Sequence, residues 1–280
     1  MRKYKIGNNS SIKANEIEID GTAVIGNNVV IECDRIRIGK FSIIKDNVKI
    51  QCKELEIGEH LYMADGVEIG RGGCTGPNST VKIGNGVGIF ENALINPSEP
   101  VEIGDNCGIG ADVMIWTHGA WLDITKGFPS DFGPVKIGKD VWLPARSIVL
   151  PNVEIGNNVV IGINSIINRS LPDGCFAAGS PCKVIKENMY PQELTEAELR
   201  KMVYDIIYDW FEVIKPKGHF VFDIFYENKI IILIQGKNKT IYYIDDKKVE
   251  GFTNDVSEDF RDYLRRRGIK IYADRFFKSI

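Results

Sequence analysis

Residues 135–168 read VKIGKDVWLPARSIVLPNVEIGNNVVIGINSIIN and set an aliphatic side chain at Ile137, Leu143, Val149, Ile155, Ile161 and Ile167, six residues apart each time. A period of six fits neither the rhythm of an amphipathic helix nor the alternation of a half-buried strand. It is the pattern of a parallel β-helix, in which one turn cannot bury its own apolar face and stacks on the next. The rhythm extends outward through Ile103, Ile109 and Ile115. Aligned on Ile-Gly-x-Asn, units start at Ile6, Ile25, Ile44, Met63, Ile83, Ile103, Ile137 and Ile155, with steps of 19, 19, 19, 20, 20, 34 and 18 residues. Three residues further on stand Asn9, Asn28, Asn47, Gly66, Gly86, Asn106, Asp140 and Asn158. Each tolerates the left-handed backbone that a corner between flat faces needs. The sequence therefore predicts a mainly β chain built as a three-sided prism with aliphatic residues along its axis.

At 280 residues there is room for a large repeat domain and a smaller second one. A net charge of −3 argues against a general nucleic-acid binder. No apolar stretch reaches membrane-spanning length and no charged-then-apolar leader is present, which predicts a cytoplasmic protein. The six cysteines, at 33, 52, 74, 107, 175 and 182, form no CxxC pair. Cys33 and Cys52 lie one turn apart and are expected to stack as small hydrophobes; the spacing also allows a disulfide, which a reducing compartment disfavours.

The 34-residue step is an ordinary turn plus about 16 inserted residues within 117–134, while smaller bulges fall near 71–80 and 98–100. Loops on a rigid scaffold commonly carry function. This one holds His118, with Trp116, Trp121, Phe128 and Phe132 close by. Aromatic faces pack on the apolar C–H faces of sugars, which makes Trp121 a candidate substrate contact. His60 falls at a repeat corner and His219 opens an expected strand, so both are read as structural.

The segment after the loop, through "NRSLPDGCFAAGSPCKVIKE", resembles the final coils of hexapeptide-repeat acyltransferases, among them the galactoside, maltose and xenobiotic O-acetyltransferases. The resemblance implies a left-handed β-helix over residues 1–188 and acetyl-CoA as acyl donor, with no metal. Through "WTHGAW" it implies that His118 is the general base. An imidazole suits that role because histidine changes charge near neutral pH. Registering on "EIGDN" implies Asn92 as the substrate-holding asparagine. Ala145, Ile163, Asn168 and Arg169 are implied along the groove for pantetheine and nucleotide, with Lys183 and Lys186 beside the phosphates, where cations are expected. Pro144, Arg146 and Cys182 depart from the residues usual at those positions. The family's side-by-side packing implies a homotrimer with each site between two subunits.

Residues 189–280 read as a small α+β domain. Thr195 and Glu198 form a capping box, and Leu199, Met202, Val203, Ile206, Trp210 and Ile214 are expected on one helical face. Strands are expected at "HFVFDIFYE", "KIIILIQG" and "TIYYIDD", then a helix near 257–267 and a strand near 269–272. The last 20 residues carry seven basic and two acidic side chains, expected as a solvated face or an anion contact.

These features predict an acetyltransferase acting on a sugar or glycan hydroxyl in surface polysaccharide assembly. An N-acetyltransferase of an amino-sugar nucleotide uses the same base, and a non-catalytic β-helix scaffold remains an alternative from another class. A zinc hydratase on this fold would need three converging histidines, which the spacing of His60, His118 and His219 does not offer.

Overall fold

The structure, a computed structural model, describes residues 4–219 and 223–280. The chain divides into two compact units, Met1–Pro191 and Gln192–Ile280. In the first, short strands, parallel except for the last of the first sheet, stack into three sheets of 10, 8 and 7 strands, the faces of a prism. The first face runs from Lys5–Ile6 to Lys183–Lys186, the second from Ser11–Lys13 to Ile166–Ile167, and the third from Glu16–Ile19 to Glu154–Ile155. All eight corner residues read from the repeat have positive φ, between 55° and 71°. The interior is a stack of aliphatic columns: Ile31, Ile50, Ile69, Ile95 and Ile115 lie one above another and are at most 2% exposed. Burying one such side chain stabilises by about 1.5–3 kcal/mol.

The strand register corrects the even steps read from sequence. Met63 pairs with Ile89 on the first face, whereas Ile83 lies on the third face and pairs with Ile57. The Ile-Gly-x-Asn signature thus changes face between Met63 and Ile83. That change hid a large insertion: Ile69 to Ile95 is a full coil of 26 residues. The extra length is a loop over residues 70–79, between the second and third faces.

The corners are tied by side chains. Asn27 accepts the Asn8 N–H, Asp46 that of Asn27, Asp105 that of Asn85 and Asp173 that of Asn157, at 2.8–2.9 Å. Outside the third face runs a charge ladder, one residue per strand: Glu18, Arg37, Glu56, Lys82, Glu102, Lys136, Glu154. The other faces present apolar outward positions, among them Tyr62 and Trp142 on the first and Val30 and Met114 on the second.

In the second unit α1 (Glu196–Ile214) begins at the expected capping box and α2 (Asp255–Arg266) follows a four-stranded antiparallel sheet. The buried stripe of α1 is Val203, Ile207, Trp210 and Ile214, and Met202 is 51% exposed. The expected stripe was rotated toward Met202 because Leu199 and Ile206, which only flank the core, were counted in it. The strand expected from His219 is seen as Asp223–Glu227, and residues 220–222 lie outside the described part. A fourth strand, Lys248–Gly251, was not foreseen. No strand forms at 269–272, where the Ile271 carbonyl accepts from buried Arg261 at 3.2 Å. The basic tail is paired with acidic groups of the same unit, and apart from buried Arg261 its paired cations stay partly exposed. Arg261 and Arg275 pair with Glu258, Arg265 and Arg266 with Asp262, Arg267 with Asp209, and Lys278 with Asp255.

Candidate active site

The insertion at 117–134 is a β-hairpin arm, His118–Ala120 against Ser130–Phe132, leaving the corner between the second and third faces. Thr117 pins its root: its hydroxyl donates to the Asn96 carbonyl at 2.8 Å and accepts the Glu99 N–H at 3.0 Å. Its carbonyl accepts the Gly133 N–H at 3.0 Å, so both ends of the arm are fixed to the prism. At the tip, Asp123 caps a single 3-10 turn, Ile124–Lys126.

His118 stands at the base of this arm, half-buried, its ring stacked on Phe132 at 5.6 Å and edge-on to Trp116 at 6.1 Å. Its Nδ1 lies 2.8 Å from Asn96 Oδ1 and 3.0 Å from Ser98 Oγ. The orientation of the Asn96 amide is fixed independently, because its Nδ2 donates to the Gly70 carbonyl at 2.9 Å and the Gly72 carbonyl at 3.3 Å. Only the oxygen can then face the ring. An amide oxygen accepts and cannot donate, so Nδ1 must carry the proton. The Ser98 hydroxyl also donates to Asn96 Oδ1, at 3.1 Å, leaving its own lone pairs for Nδ1–H. In the neutral ring the basic lone pair is therefore on Nε2.

Asn96 is fully buried, and the loop over 70–79 covers it. Gly73 in that loop has φ +88°, and a Cβ there would come within 2.7 Å of Ser98 Oγ, so the close approach requires glycine. Asn96 and Ser98 were missed from sequence. The available signal was that both bulges, near 71–80 and 98–100, fall at the corner from which the histidine arm departs.

The other residues singled out from sequence divide between two edges of the second face. Asn168 and Arg169 lie at the His118 corner, two coils further on, and both are exposed. Ala145 and Ile163 lie at the opposite corner on adjacent coils, where Asn164 N–H donates to the Ala145 carbonyl at 3.1 Å. Asn92 belongs to this second edge, an exposed corner with φ 56° whose amide donates to Asp112 at 3.4 Å. One chain does not bring Asn92 to His118. Lys183 and Lys186 are exposed on the return strand, opposite Ala178 and Phe176. Trp121 is 95% exposed on the arm. His60 sits at a corner with φ 56° and stacks on Phe41 at 5.2 Å. Among the described residues no three His, Cys, Asp or Glu side chains are arranged to hold a metal ion, and no helix is long and apolar enough to cross a membrane.

The geometry is a prism of six-residue repeats interrupted by one histidine-bearing arm. Residues 134–169 match the family described as bacterial transferase hexapeptide (six repeats). Over 54 residues it is 44% identical to the galactoside O-acetyltransferase of Escherichia coli strain K12, covering 19% of this chain and 27% of that relative. The chain thus matches about a quarter of that relative's length. Among solved structures, a maltose O-acetyltransferase from Clostridium difficile 630 is 28% identical, with a TM-score of 0.37 over 46% of this chain and 70% of that one. A polysialic acid O-acetyltransferase is 22% identical, with a TM-score of 0.48 over 72% of this chain and 94% of that one.

Proposed function

We propose that this chain is an acetyl-CoA-dependent acetyltransferase that acylates a sugar hydroxyl in surface polysaccharide assembly, with His118 as general base. The observation that carries the reading is the tautomer of His118: Asn96 Oδ1 takes up Nδ1–H at 2.8 Å, so the free lone pair is on Nε2. In this reading Nε2 accepts the acceptor's hydroxyl proton as that oxygen attacks the thioester carbonyl. The imidazolium keeps Nδ1–H on Asn96 and returns the proton from Nε2 to the departing sulfur. His118 thereby serves first as base and then as acid without changing its anchor. Trp121 offers the acceptor an aromatic face, and Lys183, Lys186 and Arg169 are cations available to the coenzyme phosphates.

The working unit in this reading is a cyclic homotrimer. Asn92, Ala145 and Ile163 stand on one edge of the second face and His118, Asn168 and Arg169 on the other. A three-residue strand between them spans about 10 Å, so each half-set is best completed by a neighbouring copy. Apolar outward positions on the first and second faces, against the charge ladder of the third, support the same packing.

Acetyl transfer to a panel of mono- and oligosaccharides, followed by release of the coenzyme thiol, tests the proposal. His118→Ala should lower kcat at least about 100-fold and leave acetyl-CoA binding nearly unchanged. Equal rates for mutant and parent would overturn it.

A further inference from the structure

Away from the histidine, the prism carries a pair of thiols that the proposed chemistry does not use. Cys33 and Cys52 follow directly on the paired residues Glu32 and Gln51 of the second face. Adjacent parallel strands lie about 4.8 Å apart, and a disulfide accepts Cα atoms about 4.4–6.8 Å apart. Their sulfurs are 3.6 Å from one another, in contact but unbonded. Cys33 is half-buried and faces a cavity of about 510 Å³ lined also by Lys13, Asp34, Cys52, Lys53 and Cys74. Cys52 and Cys74 are buried, 4% and 2% exposed.

We propose that Cys33 and Cys52 are an oxidisable pair that a hydroperoxide converts to a disulfide, with Cys33 as the attacking thiol and Cys52 as the resolving one. The Cys33 thiolate attacks the hydroperoxide, forming S–O and breaking O–O. The leaving oxygen takes a proton and departs as water or an alcohol, and Cys33 becomes a sulfenic acid. The Cys52 sulfur then attacks Cys33, forming S–S and breaking S–O, and a second water leaves with the Cys52 proton. Two thiols are oxidised by two electrons and one hydroperoxide is reduced.

The division of roles follows from surroundings. The Cys52 side chain and backbone stabilise the Cys33 thiolate by hydrogen bonding and hold its pKa below that of an ordinary thiol, although burial and Asp34 oppose this. The contact with Cys33, then burial, pushes Cys52 the other way, so it keeps its proton until it resolves. Cys33 is also the one with access to the cavity mouth, where Lys53 adds positive charge and Lys13 is paired with Glu32 at 2.8 Å. Cys74 lines the same cavity, but burial raises its pKa.

The test is hydrogen peroxide titration of the full chain, alkylation and tryptic mass mapping. The expected product joins the peptide holding Cys33 to the peptide holding Cys52, two hydrogens lighter than the sum, before any other cysteine reacts. Cys33→Ser should abolish the product. Cys52→Ser should stop the reaction at a Cys33 sulfenic acid that dimedone traps. A bridge from Cys52 to Cys74 instead, Cys33 oxidised to sulfinic acid with Cys52 still alkylatable, or equal reactivity of Cys33 and the buried Cys182 would each overturn the assignment.

Discussion

Asn96 Oδ1 stands 2.8 Å from His118 Nδ1, while the nitrogen of the same amide is held by two carbonyls of the loop one coil earlier. The tautomer of the histidine is therefore set by backbone on a different coil. If that anchor matters for acetyl transfer, Asn96→Leu, of similar size but without the amide, should lower kcat by about 10–100-fold with acetyl-CoA affinity unchanged. A structural role alone would leave the ring's proton where it is. Nitrogen-15 NMR of the imidazole should show Nδ1–H in the parent chain and a mixture of tautomers in Asn96→Leu.

Trp121 at 95% exposure contributes almost nothing to folding. Trp121→Ala should leave the melting temperature unchanged within about 1 °C, since surface substitutions away from special features stay within about 0.5 kcal/mol. Steady-state kinetics with a sugar acceptor should show KM for that acceptor rising by about 10-fold, as expected for loss of one stacking face. An unchanged KM would remove Trp121 from the substrate contacts.

Acid should loosen the prism through its corners. Asp46, Asp105 and Asp173 each accept a backbone N–H from the Asn27, Asn85 or Asn157 corner, and those bonds hold their carboxyls below the usual range. A carboxyl with a depressed folded pKa contributes stability that is present above its unfolded value, about 3.9, and lost as pH falls through the folded value. Thermal melts should therefore fall steeply below about pH 4. Replacing all three by asparagine keeps an acceptor oxygen but removes the charge, so the melting temperature should be lower at pH 7 and the drop below about pH 4 should flatten.

The second unit has its own buried cluster around Trp210, Phe260 and Tyr242, so removing it should leave the prism folded. The cut belongs after Pro191, because Met189 and Tyr190 donate to the Gly174 carbonyl. The truncated chain should keep the oligomeric state of the full chain and bind acetyl-CoA by calorimetry. Transfer to the native acceptor should fall more than transfer to a small promiscuous sugar. A change of oligomeric state on truncation would make the second unit an assembly element.

The repeat was legible because each inward position needs an aliphatic residue and each corner a residue that accepts positive φ. Two constraints recurring at every turn leave a written period. The arm was legible too, since nothing else breaks that period by so many residues. The loop at 70–79 was not, because the Ile-Gly-x-Asn signature moves from one face to another between Met63 and Ile83 and makes a coil of 26 residues look like a step of 20. Asn96 lay beneath that hidden loop, so a position that would ordinarily point outward became a buried polar anchor. The pairing of the basic tail was hidden for a different reason. Counting charges by position along the chain ignores partners such as Asp209, which lies 58 residues from Arg267.

The charge ladder on the third face limits how such a prism can change length. Its signs alternate over seven strands from Glu18 to Glu154. Excising the coil of Arg37 would set Glu18 against Glu56, and duplicating it would set arginine against arginine, both unfavourable when directly opposed. Excising two coils restores the alternation. The interior columns are indifferent to the number of turns, whereas the outer face imposes parity: coils within this stretch can be gained or lost in pairs more readily than singly.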